Sequence, residues 1–94
     1  MNAVYRQVLN KYKGDTLFVA KLKAAQRAWI AFRDAHLESL YPEANKLQAY
    51  GSVNPVCRCG GLTELTAERA KQLKQWLNGA EEGDVCSGSV KIKD

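Results

Sequence analysis

Three cysteines and a single histidine are the residues of this chain best suited to metal or bond-making chemistry, and their spacing argues against both. Cys57 and Cys59 are separated by one residue, with Cys86 far downstream and His36 upstream. Structural zinc sites favour Cys-x₂₋₄-Cys in paired halves, and thiol redox motifs place two residues between their cysteines. Neither pattern is present, so no metal ligand and no cofactor is expected. His36 has no serine motif or carboxylate pair at a spacing that would make it a catalytic base, and no catalytic residue is assigned. Three thiols leave one unpaired after any disulfide, and a structural disulfide in an oxidising compartment is the expectation.

The other chemical concentration is the run Ala24 to Asp34, where Gln26, Arg27, Arg33 and Asp34 sit among alanines and large apolar groups. Ala25, Trp29 and Phe32 recur at helical spacing, and Leu22 and His36 prolong the stripe, which predicts a core-facing surface. Gln26 and Arg33 border that stripe, and Arg69 arrives from a later helix. Together these five polar residues predict a structural network in which an arginine stacks on Trp29 and forks onto a carboxylate.

The elements that must position these groups follow from periodicity and capping. Tyr5, Val8, Leu9 and Tyr12 mark a short first helix, with Asn2 as its cap and Gly14 past its end. Asp15 or Thr16 caps a long second helix from Leu17 to Tyr41, and Pro42 interrupts it. A short helix over 43–50 follows. Gly51-Ser52-Val53-Asn54-Pro55 is turn chemistry. Leu62, Leu65, Arg69, Leu73 and Trp76 form the stripe of a last helix that Asn78-Gly79 closes. Gly60-Gly61 either precedes this helix or lies inside it where a neighbour comes close. The fold class expected is all-α, a small antiparallel bundle of three main helices with a short extra helix. One domain spans 1–94, with a helical core over about 2–79 and an irregular tail over 80–94.

At 94 residues the chain has room for one modest core. Its 46% apolar and 26% charged residues are ordinary for a globular protein, and no apolar run is long enough for a membrane helix. A net charge of +4 favours anionic partners mildly, but the basic residues form no block, and nucleic acid is not expected.

The run Ala25-Gln26-Arg27-Ala28-Trp29 followed by Arg33-Asp34 resembles the signature of the LprI-like lysozyme-inhibitor family, small secreted helical domains largely without an assigned function. Asn2-Ala3-Val4-Tyr5, Gly51-Ser52 and Leu65-Thr66-Ala67-Glu68-Arg69 are similar to three further family motifs in the same order. The resemblance implies a non-enzymatic protein of the periplasm or the exterior, a signal peptide removed ahead of Met1, and lysozyme or another envelope protein as partner. An inhibitor must plug a cleft carrying two carboxyl groups. The candidate plug is the turn with Tyr50 as anchor, Gly51 as frame, and Ser52 and Asn54 as donors. Net positive charge opposes association with a basic lysozyme, and the alternative is a binding module for an anionic cell-wall glycan or a protein partner. Oligomeric state is left open. Many family members pair a cysteine at the position of Leu37, so that crosslink does not carry over, and Cys86 becomes the expected partner of Cys59. Cys59 is favoured over Cys57 because it continues the inward stripe of the last helix.

Overall fold

A computed structural model describes residues 1–93, and Asp94, the last residue of the expected tail, lies outside the described residues. Four helices follow in order: α1 (Asn2–Lys11), α2 (Thr16–Leu40), α3 (Lys46–Tyr50) and α4 (Asn54–Asn78). The molecule is all-α, as expected. Phe18 packs beside Trp76, Gln26 meets Arg69, and Leu37 meets Gly61. Rising positions on α2 therefore meet falling positions on α4, and the two long helices are antiparallel. The result is a rod of 54 × 23 × 22 Å with a radius of gyration of 17.2 Å, against about 12 Å for a compact chain of this length.

The core sits at one end of that rod, called proximal below. Val8, Tyr12, Phe18, Leu22 and Leu73 form it, with Val4, Tyr5, Leu9, Trp76 and Leu77 packed around. Asp15 caps α2 by accepting the Phe18 N–H at 3.1 Å. Tyr12 closes α1 and its ring lies 4.9 Å from that of Phe18. The buried Tyr12 hydroxyl donates to the Trp76 carbonyl at 3.0 Å and accepts the Lys91 N–H at 2.9 Å, so it ties α1, α4 and the tail together. Lys11 donates to the Trp76 and Leu77 carbonyls, each at 3.2 Å, satisfying the exposed end of α4.

The tail is irregular but docked. Ala80 pairs with Ile92 in an isolated bridge, its N–H donating to Lys91 O and its carbonyl accepting from Lys93 N, both at 2.8 Å. Gly79 makes this possible, because its φ is +82° and an added Cβ would meet Lys91 O at 3.1 Å and Lys93 Cγ at 3.0 Å.

Two expectations need correction, and one alternative left open is decided. Ala25 and Phe32 are exposed rather than core, Phe32 by 55%. The inward stripe is Phe18, Leu22, Gln26 and Leu37, with Trp29 and Arg33 half-buried. α2 is apolar on several sides, and α4 contacts only one of them, the side on which Arg69 satisfies a buried Gln26. The helix expected over 43–50 is shorter, because Asn45 caps it by accepting the Gln48 N–H at 3.0 Å. Finally, α4 begins at Asn54, so Gly60 and Gly61 are inside it. Of the two readings of these glycines the close approach holds for Gly61, where an added Cβ would lie 3.2 Å from Leu37 Cδ2.

Candidate functional site

The link between α2 and α4 forms the distal end of the rod, and short-range bonds hold it in shape. Tyr41 and Tyr50 pack edge to face with centroids 5.4 Å apart, and the Tyr50 hydroxyl accepts the Glu43 N–H at 3.2 Å. Lys46 folds back over the link, donating to Tyr41 O, to Glu43 O at 2.8 Å and to Glu38 at 3.4 Å. Arg58 lies 3.6 Å from the same Glu38 carboxylate. Gly51, at φ +77°, ends α3 with its N–H on Leu47 O at 2.9 Å. Of the four expected binding residues, Tyr50 is half-buried against Tyr41, and Gly51 and Ser52 are in solvent. Asn54 requires correction. Its side chain is 6% exposed and its Nδ2 is buried with no partner, so the turn presents Ser52 and the 56% exposed Val53 instead. Asn54 turns inward because it opens α4 and does not cap it from outside.

The five polar residues expected to form one network fall into two clusters and an outlier. Arg69 Nε donates to Gln26 Oε1 at 3.0 Å and its Nη1 donates to Gln72, while Gln26 Nε2 reaches Met1 Sδ at 3.4 Å. Desolvation lowers the Arg69 pKa from its ordinary value, and the guanidinium remains charged at physiological pH. Further along α2, Arg33 pairs with Asp34 at 3.0 Å and lies 5.5 Å from the Trp29 ring centroid. Asp34 is more than half exposed, so this pair borders solvent. Arg27 is exposed and joins neither cluster.

The Cys59–Cys86 disulfide is not formed. All three cysteines are exposed free thiols. Cys86 lies beside Gln75, Gly79 and Ala80 at the proximal end, where the tail docks. Cys59 precedes Gln75 on α4 by four and a half turns, about 24 Å at the helical rise, whereas a disulfide needs Cα atoms within about 7 Å. Among the described residues no group of three His, Cys, Asp or Glu side chains could hold a metal.

Two features escaped the sequence. One is a groove of about 400 Å³ between the distal halves of α2 and α4, floored by Leu37 and Leu65 and edged by Phe32, Leu40, Glu64 and Glu68. His36 lies in it with its ring stacked on Phe32 at 5.5 Å. The signal was present in the Glu64 and Glu68 pair, one turn apart beside Leu65. The other is a segregation of charge that the even spread of basic residues along the chain conceals. Residues 30–68 carry three basic and five acidic side chains, and the rest of the chain carries eleven basic and five acidic. Folding as an antiparallel hairpin gathers the first set at the distal half and most of the second at the proximal half.

Comparison with known proteins gives this geometry a family. The family described as "Lysozyme inhibitor LprI" matches residues 1–73, from α1 through Leu73 of α4. An uncharacterized protein of Rhizobium meliloti (strain 1021) is 43% identical over 60 residues, which is 64% of this chain. The matched stretch spans 40% of that protein's length. No solved structure matches the chain. With the family match covering all four helices but the last turn of α4, the chain belongs to the LprI lysozyme-inhibitor family.

Proposed function

We propose that the protein is a non-enzymatic binding protein of the periplasm or cell exterior that inhibits lysozyme by presenting the distal end of its rod. The observation that carries this reading is the charge segregation. A net charge of +4 repels a basic enzyme, but residues 30–68 have a net charge of −2 and the remainder +6. Approach by the distal end puts acidic surface toward the partner and the repelling charge far away, and exposed charges more than about 10 Å apart are largely screened at 0.1 M salt. The distal end is also narrow and braced. Tyr50, Lys46 and Gly51 hold the turn in which Ser52 and Val53 face solvent, so little ordering entropy is lost on docking. Family membership supports the choice of lysozyme.

The test is lysozyme turnover with the protein in excess, at low and moderate salt. Inhibition that weakens as salt rises supports acidic-end docking, and inhibition that strengthens with salt means that the +4 net charge governs approach. No inhibition at either salt overturns the lysozyme reading.

A second reading rests on the proximal half. Lys11, Lys91 and Lys93 surround a cleft of about 380 Å³ beside Asn78 and Gly79. That end suits an anionic cell-wall glycan, and retention on such a polymer that disappears with Lys11→Ala and Lys91→Ala would favour it over the distal end.

A further inference from the structure

Cys57 and Cys59 stand where α4 is held least. Within residues 54–60 only Asn54 and Arg58 are not exposed, and Val56 is 70% exposed. Arg58 lies 3.6 Å from the well-exposed Glu38 carboxylate, and packing of α4 on α2 begins at Gly61, which faces Leu37. Asp15 caps α2 and Asn45 caps α3, but among the described residues no side chain caps the start of α4. Pro55 in its first turn has no N–H to give, and Gly60 and Gly61, the poorest helix formers after proline, separate this segment from the packed length. Residues 54–60 are therefore helical through their own backbone bonds and little else.

That segment carries two free thiols that helical geometry keeps apart. Residues two apart on an α-helix point about 160° away from each other around its axis, and a disulfide needs Cβ atoms within about 4.5 Å. Helix and bridge exclude each other at Cys57 and Cys59. Cys86 competes for neither thiol, because it lies beside Gln75 and Gly79 at the proximal end. Once the backbone leaves the helix, one residue separates the two sulfurs, and each is the other's nearest partner at an effective concentration that a thiol on another molecule does not match.

We propose that residues 54–61 form a thiol–disulfide switch: the reduced chain carries α4 back to Asn54, and a Cys57–Cys59 bridge unwinds this segment so that α4 starts near Leu62. The oxidant is a low-molecular-weight disulfide. One cysteine thiolate attacks it, expels one thiol and is left as a mixed disulfide; the second cysteine attacks the protein sulfur of that bond and expels the other thiol. Two protein thiols are oxidised to one disulfide, the oxidant is reduced to two thiols, and the two protons pass to the leaving thiolates. Unwinding frees the Val53 carbonyl, which in the helix accepts the Val56 and Cys57 N–H groups at 3.0 and 3.1 Å, and releases the buried Asn54 side chain. The turn presenting Ser52 and Val53 thereby loses the support on its C-terminal side. Its consequence for lysozyme rests on the reading of the distal end as the docking surface.

The test equilibrates the full chain carrying Cys86→Ser, an exposed site, in glutathione buffers of increasing disulfide content, and reads peptide mass without reduction together with amide hydrogen exchange. The expected oxidised product is a monomer lighter by two hydrogens, with the bridge mapped to Cys57 and Cys59. Amides of residues 58–63 should exchange at least roughly ten-fold faster than in the reduced chain, while those of residues 66–76 keep their protection. Gly60→Ala favours the helix, so it should shift the oxidation equilibrium roughly two- to five-fold toward the dithiol, an effect that two exposed thiols outside any helix would not show. Glutathione adducts or cross-linked dimers in place of the bridge overturn the proposal, as does a bridge that leaves amide protection intact or an equilibrium that ignores Gly60→Ala. Equal inhibition of lysozyme by the two states, with bridge and unwinding both seen, would leave the switch standing and count against the distal end as the docking surface.

Discussion

The two ends of the rod are built differently. At the proximal end three helices and the tail converge, Val8, Tyr12 and Leu73 are buried to 1% exposure or less, and Tyr12 alone bonds to two other elements. At the distal end only two long helices and a one-turn helix meet, Leu37 is the one buried large apolar side chain among the described residues there, and Phe32, Leu40, Leu47, Val53 and Val56 are all more than half exposed. Cohesion concentrates at one end and accessible surface at the other. The distal end keeps its shape through hydrogen bonds and the Tyr41–Tyr50 contact instead of a packed core.

The largest expected break in this comparison is Leu73→Ala. It empties a fully buried site at the centre of the proximal core and should cost about 2–5 kcal/mol, read as a lower urea midpoint. Phe32→Ala, at the distal end, should cost under about 1 kcal/mol because the ring is already 55% in water. Similar losses at both sites would show that the distal groove is structural and not open.

Arg69→Ala comes next, at about 1–3 kcal/mol, since it strands the buried Gln26 carbonyl oxygen without its donor. Arg33→Ala should cost only about 0.2–1 kcal/mol, because its partner Asp34 is well exposed and solvent screens the pair. Equal costs would mean that the two clusters act as one network after all. Thermal melts of the two single variants and of the double variant decide, with additivity expected for groups this far apart.

The smallest effect separates two adjacent glycines. Gly60→Ala has nothing within 4 Å of the new Cβ and should stabilise α4 by roughly 0.5–1 kcal/mol. Gly61→Ala gains the same helix propensity but presses on Leu37, so its net gain should be smaller or reversed. A larger gain at Gly61 would show that the helices have room to part at the distal end.

Much of the proximal end was legible in the sequence. Tyr5, Val8, Leu9 and Tyr12 have one clear apolar face, Asp15 is a strong cap, and the stripe from Leu65 to Trp76 alternates apolar with charged positions that mark its outer side. α2 was harder for a physical reason. Ala24, Ala25, Ala28, Trp29, Ile30, Ala31, Phe32 and Ala35 surround the helix, so periodicity does not single out the face that α4 covers, and the buried Gln26 looks like a boundary residue until Arg69 is placed beside it. The cysteine pairing failed because the position of Cys86 follows from where Tyr12 catches Lys91, a contact between residues 79 apart in sequence. In the turn, Ser52 is in solvent, while Asn54 is buried as the first residue of α4, whose start is the earlier of the two left open.

The central claim is that the distal end recognises the partner and the proximal end supplies cohesion. Binding of lysozyme to Ser52→Arg, compared with the parent and with a proximal charge reversal such as Lys74→Glu, tests it most directly. The account predicts that Ser52→Arg, which places a bulky cation on the exposed turn of the acidic end, lowers affinity at least roughly ten-fold with an unchanged melt, and that Lys74→Glu leaves affinity within about two-fold. Full affinity in Ser52→Arg, with loss in Lys74→Glu, would contradict it.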